Sequence, residues 1–244
     1  MNKVLFILLL LILYHKGRNT KDFNNQPVSR ALSMGVHESQ SLFWERNIFQ
    51  SREFWDFLTP LIHKHFPHTI GVSSEEFYLY CNQVTPGFIR VDADEVTYPL
   101  HIILRFELEQ GLFDDSISVD DLPTIWNKKI KDMLGLTVES NKLGVLQDVH
   151  WSFGAMGYFP SYTLGAMIAC QLHEQCQQSI PDLKDKIRKG EFKEIREWLR
   201  NNVHEKGSLY SKPDDLLLDI TGKPLDPQVF VKYLEKKYKD IYNL

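Results

Sequence analysis

The sequence predicts an all-α protein. Its apolar residues recur at helical spacing and rarely alternate in the manner of strands. Serine, aspartate, proline and glycine stand where these periodic segments begin or end, as they do at helix termini. With 244 residues, 43% hydrophobic and 25% charged, the composition is that of an ordinary globular chain with enough apolar mass for a sizeable core. We expect long helices in one domain or in one large piece of a bigger domain.

The first periodic segment covers residues 27–65. An apolar stripe at helical spacing runs through it, formed by Trp44, Ile48, Trp55, Leu58 and Ile62. The segment therefore predicts one long buried-face helix or two in succession, with a bend at Pro60. A further helix is predicted over 74–84, since the serines and glutamates of 73–76 have the pattern of a capping box.

Residues 89–109 predict another long helix, broken or bent at Pro99 and stopped by Gly111. Polar residues recur along it at about one-turn spacing: Arg90, Asp94, Thr97 or Tyr98, His101 and Arg105. A polar stripe on an otherwise apolar helix indicates a cleft. The alternative is an exposed ion pair between Arg90 and Asp94 within the helix, which would contribute little to stability.

The remainder of the chain is also predicted to be helical, apart from one loop. Residues 144–157 are glycine-rich, aromatic and the least periodic, which is typical of a loop. Helices are predicted over 124–134, 160–178, 191–202 and 227–242. No internal repeat or flexible linker divides the sequence into separate domains.

Charge and cysteine content exclude several classes of function. A formal net charge of −4 and a pI near 6.1 give no general reason to expect nucleic acid or anionic lipid as a partner. Cys81, Cys170 and Cys176 are odd in number and lack a C-x-x-C spacing, so they indicate neither a disulfide framework nor a thiolate zinc site. This cysteine usage favours the cytoplasm.

The N-terminal segment 1–16 differs in composition from the rest. Its apolar run, 4–14, resembles the core of a signal peptide or a short anchor and is shorter than the roughly 20 residues of a membrane-spanning helix. No small-residue cleavage site follows it. The secretory route, a membrane anchor and a non-native start therefore stay open for this segment, and the domain is assigned to 17–244.

Four short motifs occur in one order along the chain: GRN at 17–19, HESQ at 37–40, IRxxAD at 89–94 and GxxQDxHW at 144–151. Together they resemble the carboxypeptidase Taq family of zinc metallocarboxypeptidases, from about Tyr14 to the C-terminus. The resemblance implies an all-helical fold with a deep cleft, usually in a homodimer. It also implies removal of single residues, with broad specificity, from peptides with free C-termini. Because family members are about twice this length, the chain is expected to correspond to their C-terminal half, with long helices forming one side of the cleft.

The resemblance also implies roles for individual residues. Glu38 matches the family's third metal ligand, and Arg90 would receive the terminal carboxylate of the substrate, which suits a planar two-pronged guanidinium. His150 and Tyr162 are candidates for donating a hydrogen bond to the developing oxyanion, and Gln147 for positioning the substrate. The alternative is that this aromatic-rich loop only packs against the rest of the domain.

The expected cofactor is zinc, but the sequence lacks most of the residues that would hold it. Family members carry H-E-x-x-H shortly before the G-R-N motif, and here that window falls on 7–11, which reads ILLLL. Catalytic zinc sites generally use three protein ligands, so Glu38 alone would bind zinc poorly. We therefore expect the chain to be inactive as written. The alternative function is a non-catalytic relative that binds peptides or dimerises after losing the metal.

Overall fold

The computed structural model describes residues 26–244, and every regular element among them is a helix. The all-α prediction is thus confirmed. The described chain forms two compact units, the first from residues 26–82 and Leu164–Leu244, the second from Gln83–Thr163. In chain order the α-helices are α1 (Met34–Leu42), α2 (Arg52–His65), α3 (Ser74–Cys81), α4 (Tyr98–Phe113), α5 (Leu122–Leu134), α6 (Pro160–Ser179), α7 (Leu183–Lys189), α8 (Lys193–Leu199), α9 (Pro213–Thr221) and α10 (Pro227–Tyr242).

Serine caps set the starts of the first three helices. The hydroxyl oxygen of Ser33 accepts from the backbone N–H of Val36 at 3.1 Å, and that of Ser51 caps α2 in the same way. Ser73 and Glu76 form the predicted capping box at α3. The predicted helical segment 27–65 is therefore two helices, α1 and α2, and α2 continues past Pro60.

In the first unit, α1 passes directly into a π-helical segment, Phe43–Phe49, whose buried Phe43 and Ile48 join the hydrophobic core of this unit. Helices α1 and α6 approach each other closely at Gly165. A Cβ atom there would lie 2.8 Å from the Cβ of Glu38 and 3.1 Å from the backbone nitrogen of Ser39. Only glycine permits this approach, because any side chain at 165 would meet the backbone of α1.

The second unit has its own core between α4 and α5. Trp126 is its largest buried side chain, and its other buried members are Leu104, Leu108, Leu122, Ile130 and Leu134. On both helices these residues recur at four-residue spacing, which places them on one face. The core fixes the axis of α4, from which several polar side chains of the site extend.

The predicted helix over 89–109 is wrong at its start. Helix α4 begins at Tyr98, and Arg90 lies in a short 3-10 turn, Arg90–Asp92. Pro99 stands in the first helical turn, where its missing N–H costs no hydrogen bond. Of the two predicted effects of Pro99, a break or a bend, the structure thus has a break, with the helix starting there. The Asp94 carboxylate accepts from the backbone N–H groups of Val96 and Thr97. The alternative of an Arg90–Asp94 pair within a helix is therefore also wrong.

Two short helices, α7 and α9, were not predicted from the sequence. Each has only two buried residues, too few for a clear periodic pattern. The N-terminal segment 1–16, the G-R-N motif and the 7–11 window lie outside the described residues. Within residues 26–244, no helix is both long and apolar enough to cross a membrane.

Candidate functional site

Arg90 is held in the second unit by two partners. Its Nε and Nη2 donate to Oδ1 of Asp148 at 3.0 and 2.8 Å, and its Nη1 donates to the hydroxyl of Tyr98 at 2.7 Å. A guanidinium has five N–H donors. These three bonds therefore leave one N–H on each terminal nitrogen, and we call these two donors the end-on fork of the side chain. Arg90 is 5% exposed, so the fork is already largely removed from water.

Asp148 also binds a second arginine, Arg105 of α4. Its Oδ2 accepts from Nε of Arg105 at 2.6 Å, while Nη1 of Arg105 donates to the backbone carbonyl of His101 at 2.7 Å. Burial lowers the pKa of Arg105 to about 10 although Asp148 opposes this shift. The pKa of Asp148 is lowered despite its burial, because both arginines hydrogen-bond to the carboxylate. One carboxylate thus separates two buried guanidinium groups.

Gln147 fixes the backbone at Arg90. Its Oε1 accepts from the N–H of Arg90 at 2.9 Å, and its Nε2 donates to the carbonyl of Phe88 at 2.9 Å. The same Nε2 lies 3.2 Å from the carbonyl of Gly144. The side chain of Gln147 therefore joins the loop 144–157 to the turn that carries Arg90.

His150 and Tyr162 lie beside Arg90 in the same unit. Nε2 of His150 is 3.0 Å from the hydroxyl of Tyr162, and the ring of Tyr162 lies 4.8 Å from the guanidinium carbon of Arg90. The ring of His150 packs 4.4 Å from that of Phe159. Burial and the charge of Arg90 lower the pKa of His150, so its imidazole is neutral at pH 7.

Glu109 of α4 holds the loop that carries His150. One carboxylate oxygen accepts from the indole N–H of Trp151 at 3.0 Å, and the other accepts from the backbone N–H of Gly157. The sequence analysis gave Glu109 no role. A signal was present, because Glu109 follows Arg105 by four residues and so continues the polar stripe of α4.

Glu38, the predicted metal ligand, lies on α1 in the first unit. The residue is 8% exposed and its backbone is packed against Gly165. Across residues 26–244, no three His, Cys, Asp or Glu side chains come together in a way that could hold a metal ion. The described residues therefore do not by themselves fit a catalytic zinc site, which generally needs three protein ligands.

Comparison with known proteins identifies the family. The model of the "Carboxypeptidase Taq (M32) metallopeptidase" family matches residues 12–238. The chain belongs to the carboxypeptidase Taq family. It is 43% identical to "Carboxypeptidase 1" of Bacillus subtilis over 218 residues, which are 89% of this chain and 43% of that protein. It is 41% identical to "Thermostable carboxypeptidase 1" of Pyrococcus furiosus over 212 residues, 87% of this chain and 42% of the relative.

The M32 carboxypeptidase of Deinococcus radiodurans has a similar structure, with a TM-score of 0.93, 36% identity and coverage of 98% of this chain and 48% of that one. The chain thus spans less than half the length of these Taq-family proteins.

The Taq-family motifs are divided between the two units. The IRxxAD and GxxQDxHW motifs bring Arg90, Gln147, Asp148 and His150 together in the second unit, and Tyr162 joins them there. The HESQ motif, with Glu38, belongs to the first unit. Which of these residues bind metal or substrate remains a prediction.

The glutamine of the HESQ motif has a partner that sequence reasoning missed. Oε1 of Gln40 lies 2.9 Å from Nε2 of His204, and Nε2 of Gln40 donates to the hydroxyl of Ser39 at 2.9 Å. His204 ends the π-helical segment Arg200–His204 and is 164 residues away in sequence. No local sequence pattern could have paired the two. Gln40 thus links the helix that carries Glu38 to the C-terminal part of the first unit.

Acidification is expected to destabilise the folded chain through His101. Burial, followed by the charge of Arg105, lowers the pKa of His101 from 6.5 to about 4. Below pH 6.5 the unfolded chain binds a proton at His101 and the folded chain does not, so stability falls as the pH falls towards 4. Between pH 6.5 and 5 this contribution amounts to about 1.5 kcal/mol.

The free energy of unfolding, measured by urea titration at several pH values, checks this expectation. A His101→Gln variant should lose less stability than the unchanged chain between pH 6.5 and 5. The matched control is His68→Gln, since His68 is exposed. Parallel pH curves for the unchanged chain and His101→Gln would contradict the assignment.

Proposed function

We propose that the chain carries the carboxylate-recognising part of a metallocarboxypeptidase that removes single residues, with broad specificity, from peptide C-termini. The observation that carries the proposal is the set of hydrogen bonds that Arg90 makes. Asp148 and Tyr98 fix its guanidinium and leave one donor on each terminal nitrogen. Two parallel N–H donors match the two oxygens of a terminal carboxylate. A peptide whose C-terminus is amidated would forfeit this charged pairing.

In this proposal His150 and Tyr162 act next to the carboxylate anchor. His150 and Tyr162 hydrogen-bond to each other and the pKa of His150 is lowered, so the neutral pair can direct at most one donor at a substrate, an N–H of His150 or the O–H of Tyr162. A neutral N–H or O–H close to Arg90 is suited to hydrogen-bond the carbonyl oxygen of the last peptide bond as negative charge develops on it. Gln147 contributes by holding the backbone of Arg90 in place.

The metal part of the proposal concerns Glu38 alone. We assign Glu38 as one zinc ligand, by its match to the HESQ motif of the family. Since residues 26–244 contain no ligand set for a metal and the 7–11 window is aliphatic, this chain by itself is proposed neither to hold zinc tightly nor to hydrolyse peptides. One tightly bound zinc per chain by elemental analysis, or peptide hydrolysis that a chelator abolishes, would contradict this part and leave the role of Arg90 intact.

A second candidate function is a non-catalytic relative that binds peptides or dimerises. It is favoured by the fact that Arg90, Asp148 and Arg105 form their cluster within one unit, and that Glu38 belongs to the other unit. The coding sequence of the transcript distinguishes the two candidate functions. If it continues upstream in frame into H-E-x-x-H, it favours the enzyme. If it begins at Met1, it favours the binding protein.

Recognition of a free carboxylate is tested with the full 244-residue chain. The probes are a fluorescent tripeptide with a free C-terminus and the same peptide with a C-terminal amide. We expect the free acid to bind at least about tenfold more tightly, which corresponds to about 1.4 kcal/mol. An Arg90→Ala variant should bind both peptides equally. Arg196→Ala is the control, because Arg196 is largely exposed, and it should keep the preference. Equal binding of both peptides by the unchanged chain would overturn the proposal.

A further inference from the structure

The charges of Arg90, Asp148 and Arg105 do not cancel. Asp148 pairs with Arg90 through Oδ1 and with Arg105 through Oδ2, so these three groups together carry one net positive charge. Glu109 of α4 is also buried, but its carboxylate bonds to Trp151 and Gly157. An isolated Arg90–Asp148 pair would be neutral. A neutral pair has little attraction for a second carboxylate, because Asp148 would already balance Arg90.

Arg105 supplies the additional charge without being able to touch a ligand. It is completely buried. Its guanidinium lies 4.7 Å above the ring of Trp126 and 5.5 Å from that of Phe159. Nη1 is also bonded to the carbonyl of His101. These contacts hold Arg105 against Oδ2 of Asp148, the oxygen that Arg90 does not bind.

We propose that Arg105 is a positioning residue that turns the Arg90–Asp148 pair into a carboxylate-binding site. Arg105 shares the charge of Asp148, so that the three ion-paired groups keep one net positive charge. This inference rests on the proposed function of Arg90. The hydrogen bonds give Asp148 and Arg105 different roles. Asp148 accepts hydrogen bonds from Nε and Nη2 of Arg90 and so fixes the orientation of the end-on fork. Arg105 donates to the other oxygen of Asp148. A terminal carboxylate at the fork would complete a set of two cations and two anions.

The neighbouring histidines agree with a positive potential in the cluster. The pKa values of both His101 and His150 are lowered, first by burial and next by the charge of an arginine, Arg105 for His101 and Arg90 for His150. In each case Asp148 acts in the opposite direction without reversing the shift. The two arginines therefore outweigh the carboxylate at both imidazoles.

The test uses two variants of the full chain and the same pair of peptides, free acid and amide. Arg105→Gln keeps a hydrogen-bond donor near Asp148 but removes the charge. It should reduce the preference for the free acid by at least about tenfold, to near equality. Arg105→Lys keeps the charge and should retain most of the preference. The readout is the ratio of the two dissociation constants, because a purely structural defect would weaken both peptides alike and leave the ratio unchanged.

The possible outcomes separate the two proposals. If the unchanged chain has no preference for the free acid, the role of Arg90 fails and the role of Arg105 falls with it. If the unchanged chain prefers the free acid and a folded Arg105→Gln keeps that preference within twofold, only the inference about Arg105 is overturned. Circular dichroism establishes the folding of each variant. If Arg105→Gln does not fold, Arg105→Lys tests the role of Arg105. A folded lysine variant that lacks the preference for the free acid would equally refute a role based on charge.

Discussion

Replacing Asp148 with alanine is expected to destabilise the chain by about 3–5 kcal/mol. The change removes the carboxylate that both Arg90 and Arg105 bind and leaves two buried guanidinium groups facing each other without a counter-charge. Losing one partner of a buried ion pair costs far more than losing an exposed pair, because the remaining charge cannot recover its hydration. The free energy of unfolding in urea, followed by tryptophan fluorescence, measures the effect, since Trp126 and Trp151 lie in the same unit.

Asp92→Ala is the matched control for this prediction. Asp92 is an exposed aspartate two residues from Arg90, and its replacement should change the free energy of unfolding by less than about 0.5 kcal/mol. An Asp148→Ala chain that unfolds at the same urea concentration as the control would mean that water or a rearranged side chain neutralises the two arginines. That result would remove the electrostatic basis of the site.

Replacing Gly165 with valine is expected to cost about 3 kcal/mol, the upper end of the range for overpacked sites. A first side-chain carbon at 165 would already lie 2.8 Å from the Cβ of Glu38 and 3.1 Å from the backbone nitrogen of Ser39. Because part of this obstacle is backbone, α1 must move away from α6, and Glu38 moves with it. Urea unfolding at pH 7 measures the loss of stability.

Gly35 provides a control in the same pair of helices. A Cβ atom at Gly35 would lie 3.5 Å from the Cβ of Leu164, an ordinary van der Waals contact. Gly35→Ala should therefore be neutral or stabilise by up to about 1 kcal/mol, because alanine favours the helix. Equal stability of Gly165→Val and Gly35→Ala would show that the two helices can separate at no cost, and would contradict the argument from close approach.

The sequence predicted best those features that depend on local pattern. Helix α10 has the predicted bounds, 227–242, because its charged and apolar faces alternate regularly and Pro227 marks its start. The capping box at Ser73 was predicted from four adjacent residues. The start of α4 was not predicted correctly, because a proline can either begin a helix or bend it. Which of the two occurs at Pro99 depends on the hydrogen bonds between Asp94 and Thr97 in the preceding turn.

The candidate site was predictable in its residues but not in their pairings. The motifs singled out Arg90, Gln147 and His150, and the structure places all three in one cluster. That Arg105 shares Asp148 with Arg90 could not be predicted, since Arg105 and Asp148 are 43 residues apart and only the packing of α4 brings them together. The 48-residue separation of Glu109 and Gly157 is of the same kind.

The attachment of Trp151 and Gly157 to Glu109 has a consequence for the energetics of ligand binding. A loop tethered at two points on a rigid helix loses its conformational freedom when the protein folds, before any ligand arrives. A peptide entering beside His150 would then meet a preorganised surface, and little of its binding energy would go into ordering the protein. The backbone amide of Gly157 should accordingly exchange its hydrogen slowly in the unliganded chain, and ligand should slow this exchange only slightly further.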